Sequence, residues 1–227
     1  MRRLSWSADG AFLAWGTDIG GVGIDLADGF AAAELSAGSG VLSLSWSPDG
    51  ERLAVGTEGG RLLVWGIGGD AVELDLGGWV SALAWGPMGR LAVGSGSHVT
   101  VYESDLTTCE VFPFVGGHVN DLEFVDQRLA VGTRNGILWL FDDSVEGSDP
   151  IRYFNPGSVL SLAWDGRRHL ASGDVLGCLR IADVETGEEW SIDGFPEPVD
   201  RVRWCGRFVV APADDDLTVW GLGSDGV

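Results

Sequence analysis

Lysine is missing from this 227-residue sequence: all 14 basic residues are arginine, set against 34 aspartates and glutamates for a formal charge of −20. So negative a chain repels nucleic-acid phosphates and anionic lipid heads, which disfavours a general nucleic-acid binder or a membrane-surface protein. Long apolar runs are missing too, since none approaches the roughly 18–20 residues of a membrane-spanning helix. The opening "MRRLSWSADG" has two arginines with no apolar stretch behind them, so no secretory signal is expected and the reading is cytoplasmic. Cysteine is scarce. Cys109, Cys178 and Cys205 are odd in number and not closely paired. That argues against a disulfide framework or a four-cysteine metal site, and for three buried or half-buried thiols.

What is present is repetition. "RLAVGT" stands at 52–57 and again at 128–133, with "RLAVGS" halfway between at 90–95. Around it, "VLSLSWSPDG" at 41 has relatives in "VSALAWGPMG" at 80, "VNDLEFVDQ" at 119, "VLSLAWDGR" at 159 and "VDRVRWCGR" at 199, and the chain opens on "MRRLSWSADG". The aromatic anchors Trp6, Trp46, Trp85, Phe124, Trp164 and Trp204 are spaced 40, 39, 39, 40 and 40 residues apart. Six units therefore fill one uninterrupted domain, with boundaries near 1–40, 41–79, 80–118, 119–158, 159–198 and 199–227.

Each unit reads as strands. Val41, Leu44 and Trp46 alternate with Ser43 and Ser45, as on a pleated strand. Asp9-Gly10, Asp49-Gly50 and Asp165-Gly166 are hairpin turns. "RLAVGT" is the second strand, a glycine turn follows, and "LLVW" or "LTVW" is the third. A looser fourth segment such as "AVELDL" at 71–76 completes the unit. Four short strands per roughly 40 residues match a propeller blade, whose two apolar faces are buried only by neighbouring blades.

With the "SWSPDG" turn, the "LAVGT" strand and the "LLVW" strand recurring in register, the units resemble WD-repeat β-propeller blades along the whole chain. The resemblance implies an all-β, six-bladed WD-repeat-like propeller and a protein-interaction role. There are departures. Glycine follows the third-strand tryptophan at Gly66 and Gly221, Phe141 and Ala182 replace that tryptophan in two units, and the family's Gly-His pair survives once, at Gly117-His118. The family's network of histidine, turn aspartate and tryptophan cannot be assembled whole, so blade stability is expected to rest on apolar packing. The sixth unit offers only three strands, and the segment at 216–220 should be an uncovered outer edge carrying Trp220. A short last blade, a missing flanking segment and an edge used for strand addition by a partner all remain open readings. "DDD" at 214–216 reads as a solvated turn that helps to blunt that edge.

Positions three and five of each first strand are expected to face a central channel. Reading them in order gives Arg3, then Asp121 and Glu123, then Arg201 and Arg203. In ring order Arg3, Arg201 and Arg203 converge, with Arg2 near the rim. Arginine forks suit carboxylate or phosphate groups, so an anionic partner group at the channel mouth is one reading. Compensation of Asp121, Glu123 and Asp200 is the other. Trp79 replaces the family's loop histidine, either as an exposed partner anchor or as packing between blades. No nucleophile, metal or cofactor constellation appears. The chain reads as a non-enzymatic scaffold for protein partners, with a propeller enzyme or small-ligand sensor using Asp121 and Glu123 as the alternative.

Overall fold

Alternating apolar and small residues, broken every six or so positions by glycine turns, give strands throughout. The computed structural model describes residues 3–29, 31–112, 116–142, 149–213 and 216–221, without the side chains of 31, 32, 109, 213 and 216. Arg2, Asp214 and Asp215 lie outside these residues, as does the Cys109 side chain. Five four-stranded sheets and one three-stranded sheet follow one another along the chain. Each sheet takes its strands in chain order, neighbours antiparallel, as in Val41–Trp46, Arg52–Thr57, Arg61–Gly66 and Ala71–Asp75 of the second. The last sheet contains Arg203–Cys205, Phe208–Ala213 and Asp216–Gly221. The described residues fall into two compact units, Met1–Phe114 with three sheets and Val115–Val227 with the other three.

Within each unit the core lies in the seams between consecutive sheets. Ala14, Val22 and Ile24 of the first sheet pack on Val41, Trp46, Leu53 and Leu63 of the second. Ala54, Leu62 and Val64 pack in turn on Val80, Leu83 and Val93 of the third. In the second unit Leu138 and Leu140 meet Val159 and Leu162, and Leu179 and Ile181 meet Val199, Val202 and Val209.

The glycine of "RLAVGT" belongs to the seam. A Cβ on Gly56 would stand 2.6 Å from Val80 Cγ1, the first residue of the next sheet's first strand. Gly16 faces Val41 at 2.6 Å, Gly132 faces Val159 at 2.7 Å and Gly173 faces Val199 at 2.5 Å in the same way. The first strand of one sheet thus lies against bare backbone of the sheet before it. A second repeated contact fastens the same seam: the indole N–H of Trp46 donates to the Ser5 carbonyl, Trp85 to Ser45 and Trp204 to Ala163, each at 3.0 Å.

The turns are closed by polar side chains. Ser47 Oγ donates to Asp49 at 2.5 Å and accepts from the Arg52 amide, and Ser7, Asp9 and Phe12 repeat the arrangement. Thr57, the last residue of the hexapeptide, accepts from the Arg61 amide at 3.0 Å and donates to its carbonyl at 3.1 Å. Asp174 stands in that place in the fifth sheet and accepts from the amides of Leu176, Cys178 and Gly157. Apolar packing is therefore joined by a local polar closure at many turns.

The sixth sheet departs from the expected pattern. Its first strand begins at Arg203, so Arg201 precedes it and is not a strand position. The Asp200 amide donates to the Pro198 carbonyl at 3.0 Å, a tight turn that delays strand entry. Cys205 is exposed, on the same face as Phe208, contrary to the expectation of buried thiols; Cys178 is buried.

The seam account makes a prediction about two glycines. Gly56→Ala should lose about 1–3 kcal/mol, the usual cost of overpacking. Gly66→Ala, whose added Cβ meets nothing within 4 Å, should stay within about 0.5 kcal/mol of wild type. Urea denaturation of both variants measures the difference.

Candidate functional site

The first strand of the fourth sheet, Val119–Val125, carries the two carboxylates singled out above. Asp121 is half-buried, and its Oδ2 accepts from the Leu162 amide of the next sheet at 2.8 Å while Oδ1 accepts from Leu122 at 3.0 Å. Ser43 does the corresponding job in the first unit, donating to the Val80 carbonyl at 3.0 Å. Position three was expected to line a channel; in both sheets it turns into the seam instead, because the next first strand runs close enough to offer its backbone.

Glu123 keeps the more unusual chemistry. Burial, reinforced by the neighbouring Asp121 charge and only partly offset by Arg203, pushes its carboxyl up to about 8. Asp121 and Arg203 therefore both act on Glu123 within the second unit. Arg203 is exposed and donates from Nη1 to the Val202 carbonyl at 2.8 Å; Arg201 is exposed as well. In the first unit, exposed Arg3 donates from Nε to the Leu42 carbonyl. Arg3 and Asp121 thus both serve the neighbouring sheet's backbone.

Trp79 is 64% exposed, so it is not packing between blades. Its loop is nonetheless held, because the Gly96 amide donates to the Trp79 carbonyl at 3.3 Å. Trp220 is half-buried, edge-on to Phe195 with ring centres 5.1 Å apart. The side chains that the outer strand exposes are its neighbours Leu217 and Val219, at 71% and 55%.

Sequence reasoning missed a polar cluster in the fifth sheet. Asp165 accepts from the amides of Arg167, Arg168 and His169, and its other oxygen meets His169 Nδ1 at 2.7 Å. Burial opposes ionisation of Asp165, but the His169 amide and ring and the neighbouring amides outweigh it, leaving the carboxyl below its ordinary value. Arg168 pairs with Asp183, whose buried carboxylate also accepts from Glu185 and Thr186 and falls to about 2 despite its burial. The only signals in the sequence were an Asp-Gly turn and a single Asp after a strand. Among the described residues no group of three or more potential ligands could hold a metal ion, and no helix is long and apolar enough to cross a membrane.

The family described as WD domain, G-beta repeat matches residues 32–66, which span the last strand of the first sheet and most of the second. The crystal structure of the computationally designed Ika8 protein superposes with a TM-score of 0.83 at 19% identity, covering 97% of this chain and 70% of that one. The fold is that of a WD-repeat-like β-propeller. No curated protein matches the sequence. A WD repeat on a propeller fold suggests a protein-interaction scaffold, and proteins with WD repeats generally bind protein partners. With 1606 solved chains matching, the fold by itself does not choose an activity.

Two titrations follow with opposite signs. Glu123 has a raised carboxyl, so its contribution to stability is complete below the unfolded value of about 4.3 and is lost as pH rises through about 8. Glu123→Gln should flatten the stability profile between those values. Asp183 has a depressed carboxyl, so its contribution is present above the unfolded value of about 3.9 and is lost as pH falls through about 2. Asp183→Asn should lose stability at neutral pH and remove that acid limb. Thermal unfolding of the three proteins across pH separates the two effects.

Proposed function

We propose that this protein is a non-enzymatic interaction scaffold that grips a protein partner through Trp79. The observation that carries the reading is a large aromatic side chain, 64% exposed, on a loop whose backbone is already fixed. Aromatic anchors of this kind give much of the energy at interfaces, and a held loop has little freedom left to lose on binding.

Arg201 and Arg203 add a preference for an acidic or anionic partner group. Both are exposed in a protein of charge −20, where an isolated cationic spot favours carboxylates against an otherwise repulsive surface. The outer strand Asp216–Gly221 supplies a further route, strand addition by a partner, because its far side has no strand beside it among the described residues. The rival is a small-ligand or catalytic site at the carboxylates. It draws support from the raised Glu123 carboxyl and is weakened because both Asp121 oxygens accept backbone amides. Placement in the cytoplasm fits this scaffold role.

Affinity capture from a host extract on wild type, Trp79→Ala and the double variant Arg201→Gln/Arg203→Gln tests the proposal. Proteins bound specifically by wild type should fall about tenfold or more on Trp79→Ala, the loss expected for an aromatic anchor costing at least about 1.4 kcal/mol. Capture by the arginine variant should fall less and lose its salt sensitivity. Equal capture by Trp79→Ala and wild type would overturn the Trp79 reading.

A further inference from the structure

At one end of the first unit, two large apolar side chains stand on turns that touch one another. Ile19, in the turn after the strand Phe12–Gly16, is 86% exposed, and Trp79, in the loop before Val80–Trp85, is 64% exposed. The contacts between them are unbroken. A Cβ on Gly20 would stand 2.8 Å from the Ser39 amide nitrogen, the Gly59 amide donates to Ser39 Oγ at 2.9 Å, and a Cβ on Gly60 would stand 3.0 Å from the Gly78 nitrogen. Exposed Gly38, Gly59 and Gly77 leave bare backbone along that path. The ledge is also held: the Ala37 amide donates to the Gly20 carbonyl at 2.7 Å, Glu58 to Gly40 at 2.8 Å and Leu76 to Gly60 at 2.8 Å.

Negative charge converges on the middle of this ledge. A Cβ on Gly40 would stand 2.9 Å from the Asp18 carbonyl oxygen and 2.9 Å from Glu58 Oε2, so two turns with exposed carboxylates meet at one loop. Arg61 reaches the ledge beside Gly38 and pairs with Glu73 of the outer strand Ala71–Asp75 at 3.5 Å.

We propose that the segment gripped by Trp79 is an extended stretch of a protein partner, with one apolar side chain on Trp79, another on Ile19, and an arginine or lysine between them over Asp18 and Glu58. The inference rests on the Trp79 reading and names the chemistry of what is gripped; it concerns the first unit alone. An extended chain suits the ledge because residues two apart share a face and advance about 3.3 Å each. It can therefore present apolar and basic side chains to one surface in turn. The stem of a long basic side chain packs on apolar surface while its head reaches a carboxylate. A nucleic acid does not fit, since the same carboxylates repel phosphates. The carboxylates speed association in a salt-dependent way, and the two apolar anchors supply the part of the affinity that salt leaves in place.

Random twelve-residue linear peptides displayed on phage, selected on the full chain, supply the probe, and the recovered peptides are then titrated with purified variants. Those peptides should share an arginine or lysine with an apolar residue on either side. Their Kd should rise about tenfold on Trp79→Ala and on Ile19→Ala. On Asp18→Asn/Glu58→Gln it should rise severalfold and lose most of its salt dependence. Met88→Ala, which changes an 87% exposed side chain elsewhere on the first unit, should leave it unchanged. All of these side chains are exposed, so far-ultraviolet dichroism should match wild type throughout. If Trp79→Ala weakens binding but either Ile19→Ala or the carboxylate variant binds like wild type, this inference is overturned and the Trp79 reading stands. If Trp79→Ala binds like wild type, both are overturned. A selection that enriches no peptide, or only peptides without a basic residue, overturns this inference and leaves the Trp79 reading to the capture experiment.

Discussion

Everything in this fold depends on how closely one sheet's first strand can approach the backbone of the sheet before it. A glycine in the second strand permits that approach, a valine fills it, and an indole N–H fastens it to a carbonyl. Four short strands bury too little to stand alone. Each sheet is stable because its neighbour's apolar face is within van der Waals reach, and reach is set by the missing Cβ. The repeated hexapeptide is therefore a record of the seam: leucine and valine face one neighbour, alanine and glycine the other, and threonine closes the turn.

Much of this was legible in the sequence, for a physical reason. Strand alternation has a period of two and the units recur in register, so Trp6 through Trp204 announced six sheets. Side chains whose environment is set by a neighbouring sheet were harder to read. Asp121 and Ser43 looked like inward-facing residues, since alternation assigns a face of the strand without saying that the Val80 carbonyl lies 3.0 Å from Ser43 and the Leu162 amide 2.8 Å from Asp121. Trp79 and Trp6 are both tryptophans at repeat positions, and only the structure separates them from buried Trp46. Asp174 does the work of a threonine because a carboxylate oxygen accepts the same amides as a hydroxyl, an equivalence invisible to residue identity. Arg201 fell outside its strand because a Pro198–Asp200 turn intervenes, a local competition that repeat alignment cannot express.

Charge acts on a different scale. With −20 distributed over the chain, the carboxylates that matter are those denied water or given donors. Burial and the Asp121 charge raise the Glu123 carboxyl to about 8, whereas Arg168 and backbone amides lower that of buried Asp183 to about 2. The remaining acids disfavour the approach of phosphates and other anions. On the proposed reading, recognition falls to the places where apolar or cationic groups break through that field, at Trp79 and at Arg201 and Arg203.

The central claim is that a seam contact, not the tryptophan itself, is what each repeat contributes to stability. The most direct measurement is the unfolding free energy of Trp46→Phe and Trp6→Phe, the same change at equivalent repeat positions where one tryptophan is buried in a seam and the other is 56% exposed. Trp46→Phe should lose about 1 kcal/mol or more, the net worth of the indole hydrogen bond plus lost packing. Trp6→Phe should stay within about 0.5 kcal/mol of wild type. Equal losses at the two positions would contradict the account.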